Sequence, residues 1–176
     1  MTSRDLMICN AEEPMCIAGV FGGLESGVTE TTTDVFLESA CFHPTWVRKT
    51  ARRQALNTDA SFRFERGVDP NNVIYALKIA ALMVKELAGG EICGEIVDIY
   101  PQPVERPTVE LSYNYLDSLI GKELPRDMVK TILGALEMDI ENETDESLKL
   151  RIPTDRVDVT RPCDVVEDIL RIYGYN

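Results

Sequence analysis

The seven residues PQPVERP at 101–107 decide how the chain is organised. Three of them are proline, which supplies no backbone donor and resists regular structure. The stretch reads as a linker dividing the 176 residues into blocks at 1–104 and 105–176. Just before it, EIVDIY (95–100) reads as a strand. Earlier still, Asp69 as N-cap, Pro70 at the first position and Gly89-Gly90 as stop bracket a helix. Val73, Leu77, Ala80, Val84 and Leu87 recur at helical spacing, and Ile74, Ala81 and Ala88 make the other side apolar too. Much of that helix is therefore expected to be buried.

Further back, LMIC (6–9) and MCIAGVF (15–21) flank the polar turn NAEEP and form a hairpin. VFLES (35–39) reads as another strand, and a helix runs from Pro44 to about Leu56. After the linker, helices are expected near 112–120, ending at Gly121, and near 126–136. Strands at MDIE (138–141) and LKLRI (148–152) flank NETDES, and a last helix covers about 163–173. The fold class is α+β: a partial mixed α/β domain followed by a small α+β domain of winged-helix size.

Composition narrows the function. Hydrophobic residues at 44% and charged residues at 27% suit a globular chain. No apolar run approaches the 18 or more residues of a membrane span, and MTSRDLMICN lacks the pattern of a secretory signal. Five widely spaced cysteines without a CxxC suggest neither a disulfide framework nor a zinc site, which fits a reducing, cytoplasmic setting. A net charge of −12 argues against a general nucleic-acid binder. Yet residues 46–66 hold six basic side chains (Arg48, Lys49, Arg52, Arg53, Arg63, Arg66) against Asp59 and Glu65, a local +4. Arg48 with Arg52, and Lys49 with Arg53, form adjacent helical stripes. Such a stretch is either a solvated face making local ion pairs or a platform for one short piece of nucleic acid.

The inventory of reactive groups is thin. The one histidine, His43, precedes Pro44 and reads as a cap or surface residue. There is no Ser/His/Asp order, no GxxxxGK[ST] and no GxGxxG, so an independent nucleotide site has no support. Any part in catalysis would come from positioning a substrate and a water, or from completing a site built elsewhere.

Four stretches point to one family: IAGVFGGLESGV (17–28), VFLESACF (35–42), RRQALNTDASFRFERGVDP (52–70) and DRVDVTRPCDVVEDILRIYGY (155–175). Together, and in this order, they resemble the β chain of bacterial phenylalanyl-tRNA synthetases. The resemblance implies that 1–104 is the C-terminal part of a tRNA-editing domain and 105–176 the small domain after it. It implies an α₂β₂ ligase that charges tRNA(Phe) with phenylalanine using ATP, with the ATP site outside this chain. An apolar pocket discriminates only about 10²-fold against an analogue that adds a hydroxyl, so tyrosine passes the first selection and Tyr-tRNA must be hydrolysed at a second site.

By the same resemblance Glu38 accepts the phenolic proton. The backbone amide at Gly22-Gly23 donates to that oxygen, while Thr58 and Ala60 line the pocket. Arg48, Arg52 and Arg53 would lie near the arriving tRNA. The family's editing centre also draws on polar residues, a histidine among them, from a segment preceding the one that matches Met1, and His43 does not stand in for it. Asp158, Asp164, Glu167 and Asp168 match a Mg²⁺ site shared with the α chain, with aspartate at 168 where the family has glutamate; read alone, acids in a first turn complement the helix dipole. Two other readings are a free-standing hydrolase of misacylated tRNA and a non-enzymatic nucleic-acid-binding module formed by 105–176, the latter opposed by nine basic against sixteen acidic residues there.

Overall fold

A computed structural model describes residues 1–175. It divides into two compact units, Met1–Pro101 and Gln102–Asn176.

In the first unit, β1 (Met7–Cys9) and β2 (Pro14–Ile17) form the hairpin expected from the sequence. Asn10 closes its turn: the side-chain oxygen accepts from the amides of Glu12 and Glu13 at 2.8 and 2.7 Å. The chain then doubles back, with Ile17 and Phe21 exchanging backbone bonds of 2.9 and 3.1 Å. Gly19 sits in that bend at φ 66°, and an added Cβ would lie 3.0 Å from Phe42 and 3.2 Å from Phe64. Both the backbone angle and the close packing under this aromatic pair, whose centroids are 5.1 Å apart, call for glycine. α1 (Pro44–Gln54) and the short α2 (Asp59–Phe64) complete a small core of Val20, Val47 and Ala51, backed by Ile17, Phe42, Leu56 and Phe64.

Three expectations fail in this unit. α3 (Val73–Ala88) forms as expected after a 3₁₀ turn at Pro70–Asn72, but none of its residues is buried. Residues 35–39 and 95–100 are not strands. The shared reason is that no neighbouring element covers α3 or pairs with either segment as a strand among the described residues. A strand needs a neighbour for its amides and carbonyls, and the one sheet of this unit among the described residues holds only β1 and β2. In the described residues apolar side chains of these segments are exposed, among them Phe36 (95%), Leu87 (80%) and Ile99 (82%).

The second unit has the order β3 (Thr108–Ser112), α4 (Tyr113–Ile120), α5 (Arg126–Ala135), β4 (Asp139–Glu143), β5 (Ser147–Arg151), α6 (Pro162–Tyr173). Its antiparallel sheet runs β3-β5-β4. Two helices before a hairpin, with the first strand on the far side of the second hairpin strand, is the winged-helix arrangement. The sequence reading missed β3, which carries Val109 and Leu111 into the core at alternate positions. Sixteen buried hydrophobic residues form that core, among them Leu111, Leu116, Leu133, Leu148, Leu150 and Ile169. The chain therefore combines helices and small antiparallel sheets in both units, an α+β fold.

Candidate functional site

The bend that follows β2 carries two of the expected editing residues, Gly22 and Gly23. Gly23 packs against β2 so tightly that an added Cβ would lie 1.8 Å from the carbonyl oxygen of Met15. Gly22 differs: its Cβ would meet nothing within 4 Å. Packing thus explains the glycine at 23 and not the one at 22, which leaves open space above its main chain. Neither amide, among the described residues, makes a hydrogen bond to the protein.

Thr58 fastens a second segment to this bend. It is the N-cap of α2, its hydroxyl accepting from the Ser61 amide at 3.0 Å while Ser61 answers to the Thr58 amide at 3.0 Å. The same hydroxyl donates to the carbonyl of Val20 at 2.6 Å. Its polar atom is thereby committed to holding α2 against residues 20–23. Ala60, two residues on, is exposed.

Glu38 comes in from the irregular segment between the bend and α1. As a residue it is exposed, yet partial removal of its carboxyl from water raises its pKa above the ordinary glutamate value. Its charge in turn helps push up the thiol of Cys16, after burial, the larger cause. Cys16 neighbours Met15, against which Gly23 packs. A partly desolvated carboxylate and free main-chain amides make a donor–acceptor pair suited to a hydroxyl group.

The basic residues separate into two kinds. Arg48 and Arg52 are exposed, without an ion-pair partner among the described residues. Arg53 is ion-paired to Asp5, whose side chain is fully buried. Thr50 also donates to Asp5 at 3.0 Å, so this cluster ties residues 2–5 to α1. His43 is the N-cap residue of α1 but makes no side-chain cap bond. All five cysteines (9, 16, 41, 93, 163) are free thiols.

In the second unit the four acids do not converge. Asp164 serves the start of α6, accepting from the amides of Thr160 and Arg161 at 3.1 and 2.9 Å and from the Arg161 guanidinium at 2.8 Å. The Arg161 bond first, and the backbone bond second, hold its carboxyl well below the carboxylate range. Glu167 pairs with Arg171 at 2.7 Å. Arg156 reaches between the other two, 2.6 Å from Asp168 and 3.3 Å from Asp158. Among the described residues no group of three or more His, Cys, Asp or Glu could hold a metal ion. Hard carboxylate oxygens suit Mg²⁺ in kind, but arginines occupy them here, so this chain alone does not fit the ion and the expected four-ligand site is not preformed.

A groove-reading role for the winged-helix unit meets a similar obstacle. On α5, Arg126 is paired with Asp117 at 2.7 Å, and Lys130 with Asp127 and Glu143 at 3.3 and 3.1 Å. The cations that would meet phosphates are already neutralised.

Comparison with known proteins places this arrangement in a class. Residues 1–89 match the B3/4 domain and residues 109–175 the tRNA synthetase B5 domain. The chain belongs to the B3/4 family, followed by a B5 domain. Along its whole length it is similar to phenylalanine–tRNA ligase β subunits: 68% identical over 176 residues to that of Bacteroides thetaiotaomicron, 53% over 177 to that of Porphyromonas gingivalis, and 37% over 176 to that of Geobacter metallireducens. It spans 22% of the length of each of these relatives. No helix among the described residues is long and apolar enough to cross a membrane.

Proposed function

We propose that the chain acts as part of a phenylalanine–tRNA ligase β subunit and contributes to the hydrolysis of Tyr-tRNA(Phe) that such a ligase forms in error. In this reading Glu38 accepts the tyrosine hydroxyl proton and the amide at Gly22-Gly23 donates to the same oxygen. Thr58 fixes the bend, and the small side chain of Ala60 leaves room for the ring. The observation that carries it is the contrast at the bend: Gly23 is demanded by packing, whereas Gly22 faces open space. A bare main chain that the fold itself does not require is what close approach by a ligand needs.

The chemistry explains selectivity. A bound phenylalanyl ring would cut the carboxylate and the amide off from water without giving either a partner, a cost of about 1–3 kcal/mol per group. A tyrosyl group satisfies both, so the correct product is spared. Arg48 and Arg52, the two expected basic residues that remain free, are the proposed contacts to the tRNA end. The ligase would attach phenylalanine to tRNA with ATP bound outside this chain, alongside an α subunit in an α₂β₂ assembly in the cytoplasm. Any Mg²⁺ at the surface of α6 would draw on Glu167 and Asp158, the more exposed carboxylates (54% and 65%), together with ligands from the α subunit. The test is deacylation of Tyr-tRNA(Phe) by the assembled ligase carrying Glu38→Ala, with a matching loss expected; wild-type deacylation would remove Glu38 from its role.

A further inference from the structure

Beside the start of α1 lies a hollow of about 200 Å³, lined by Ser3, Arg4, Asp5, Leu6 and Trp46. Trp46 is its aromatic wall, 45% exposed. Lys49, one helical turn on, places its Nζ 5.6 Å from the indole centroid. Lys49 does not line the hollow.

Asp5 does not make this place acidic. Its side chain is fully buried and bonded to Arg53, Thr50, Gln54 and the Thr2 amide. The Arg53 bond, before the others, holds its carboxyl far below the usual range. Its charge is therefore cancelled inside the cluster, while the side chains of Arg4, Arg48, Lys49 and Arg52 make no ion pair among the described residues. An indole beside an opening, with Arg4 in the lining and Lys49 against the ring, is a combination suited to single-stranded nucleic acid: the ring stacks a base and the cations hold the backbone. Size agrees, since a cavity of about 150 Å³ admits one benzene ring. The hollow holds one base and not a whole nucleotide, leaving sugar and phosphate at the cationic rim.

We propose that this hollow receives one unpaired RNA base, stacked on Trp46, with the adjoining phosphates on Arg4 and Lys49. It rests on the tRNA reading above and names a contact which that reading lacks, outside the Glu38 site.

The test uses the protein's single tryptophan. A short fluorescein-labelled single-stranded oligoribonucleotide reports binding through its anisotropy, and the unlabelled strand reports stacking through quenching of Trp46 emission. Both signals should saturate together and weaken as salt is raised. Trp46→Ala should weaken binding about 5- to 150-fold, the range for losing one stacked base. Trp46→Phe should keep most of the affinity, and Lys49→Gln should weaken binding while leaving the quench at saturation intact. Binding without any change in emission, and with Trp46→Ala equal to wild type, would overturn the stacking site and leave the tRNA reading standing. Equal binding of a blunt duplex would overturn the unpaired base. No anisotropy change with any strand would overturn the stacking site and the basic-face part of the reading together.

Discussion

Replacing Arg156 by Met should unfold much of the second unit's margin of stability, and the structure says how much. Two carboxylates face this guanidinium. Asp158 has a side chain 65% exposed at 3.3 Å, a pair worth about 0–1 kcal/mol. Asp168 lies at 2.6 Å with a side chain 6% exposed. Removing the partner of a buried charge costs roughly 3–5 kcal/mol, because it leaves an uncompensated carboxylate out of water. Arg171, 4.0 Å away, offers partial relief, which favours the lower end. A domain of this size has a stability of roughly 4–11 kcal/mol in all. A loss of about 3 kcal/mol lowers Tm by roughly 12–24 °C. The assay is a double-mutant cycle by urea denaturation with Arg156→Met, Asp168→Leu and the pair. The double variant should recover most of the loss, since an apolar pair leaves no charge behind. A coupling energy below about 0.5 kcal/mol would refute the reasoning, because a buried pair that matters must couple more strongly.

Further outcomes follow from the same geometry. Gly22→Ala should leave Tm unchanged while lowering deacylation by the assembled ligase, whereas Gly23→Ala should lower Tm, since its Cβ collides with the Met15 carbonyl; thermal melts beside deacylation assays separate the two. Thr58→Val removes a cap and the bond to Val20, and denaturation should show a loss of about 2 kcal/mol. Asp5 has a depressed folded pKa, so its stabilisation is present above the unfolded value and fades as pH falls towards the depressed one. Asp5→Asn should therefore cost stability at neutral pH and progressively less in acid, which paired melts across that range would show. Glu38 has the opposite sign: its raised pKa means stability falls as pH climbs from the ordinary glutamate value to the raised one, and Glu38→Gln should flatten that slope. Millimolar Mg²⁺ should leave the Tm of this chain unmoved, because arginines already occupy the four acids; a clear rise would show a cage the geometry does not contain.

The second unit was largely legible in the sequence because its elements complete one another. The α5 and α6 periodicities and the LKLRI alternation point to faces that do meet in one core. What escaped was β3: TVELS follows the prolines, and only pairing with Ser147–Arg151 reveals it as a strand. In the first unit local signals were right and tertiary ones wrong. Caps and glycines at 69–90 located α3, but its apolar faces have no cover among the described residues, and EIVDIY has no strand to pair with. Propensity proposes a strand; a neighbour makes one. At the site, the resemblance named Glu38, Thr58 and the glycines, but spacing could not show that Thr58 is a bolt to Val20 or that Arg53 belongs to Asp5. The signal for the Asp5 cluster was present as a lone acid near the start of the chain opposite a basic helix, though a pairing 48 residues apart is invisible to local periodicity. For the four acids, neither the resemblance nor the spacing showed the arginines that pair with them in this chain.

Editing at this site requires that a tyrosine hydroxyl be read at Glu38. The most direct measurement is the ratio of hydrolysis rates for Tyr-tRNA(Phe) and Phe-tRNA(Phe) by the assembled ligase, with glutamate or alanine at position 38. Losing the acceptor should lower the Tyr-tRNA rate about 5- to 150-fold, leave the slow Phe-tRNA rate no lower, and collapse the ratio. A ratio preserved in Glu38→Ala would contradict the account, whatever happened to the absolute rates.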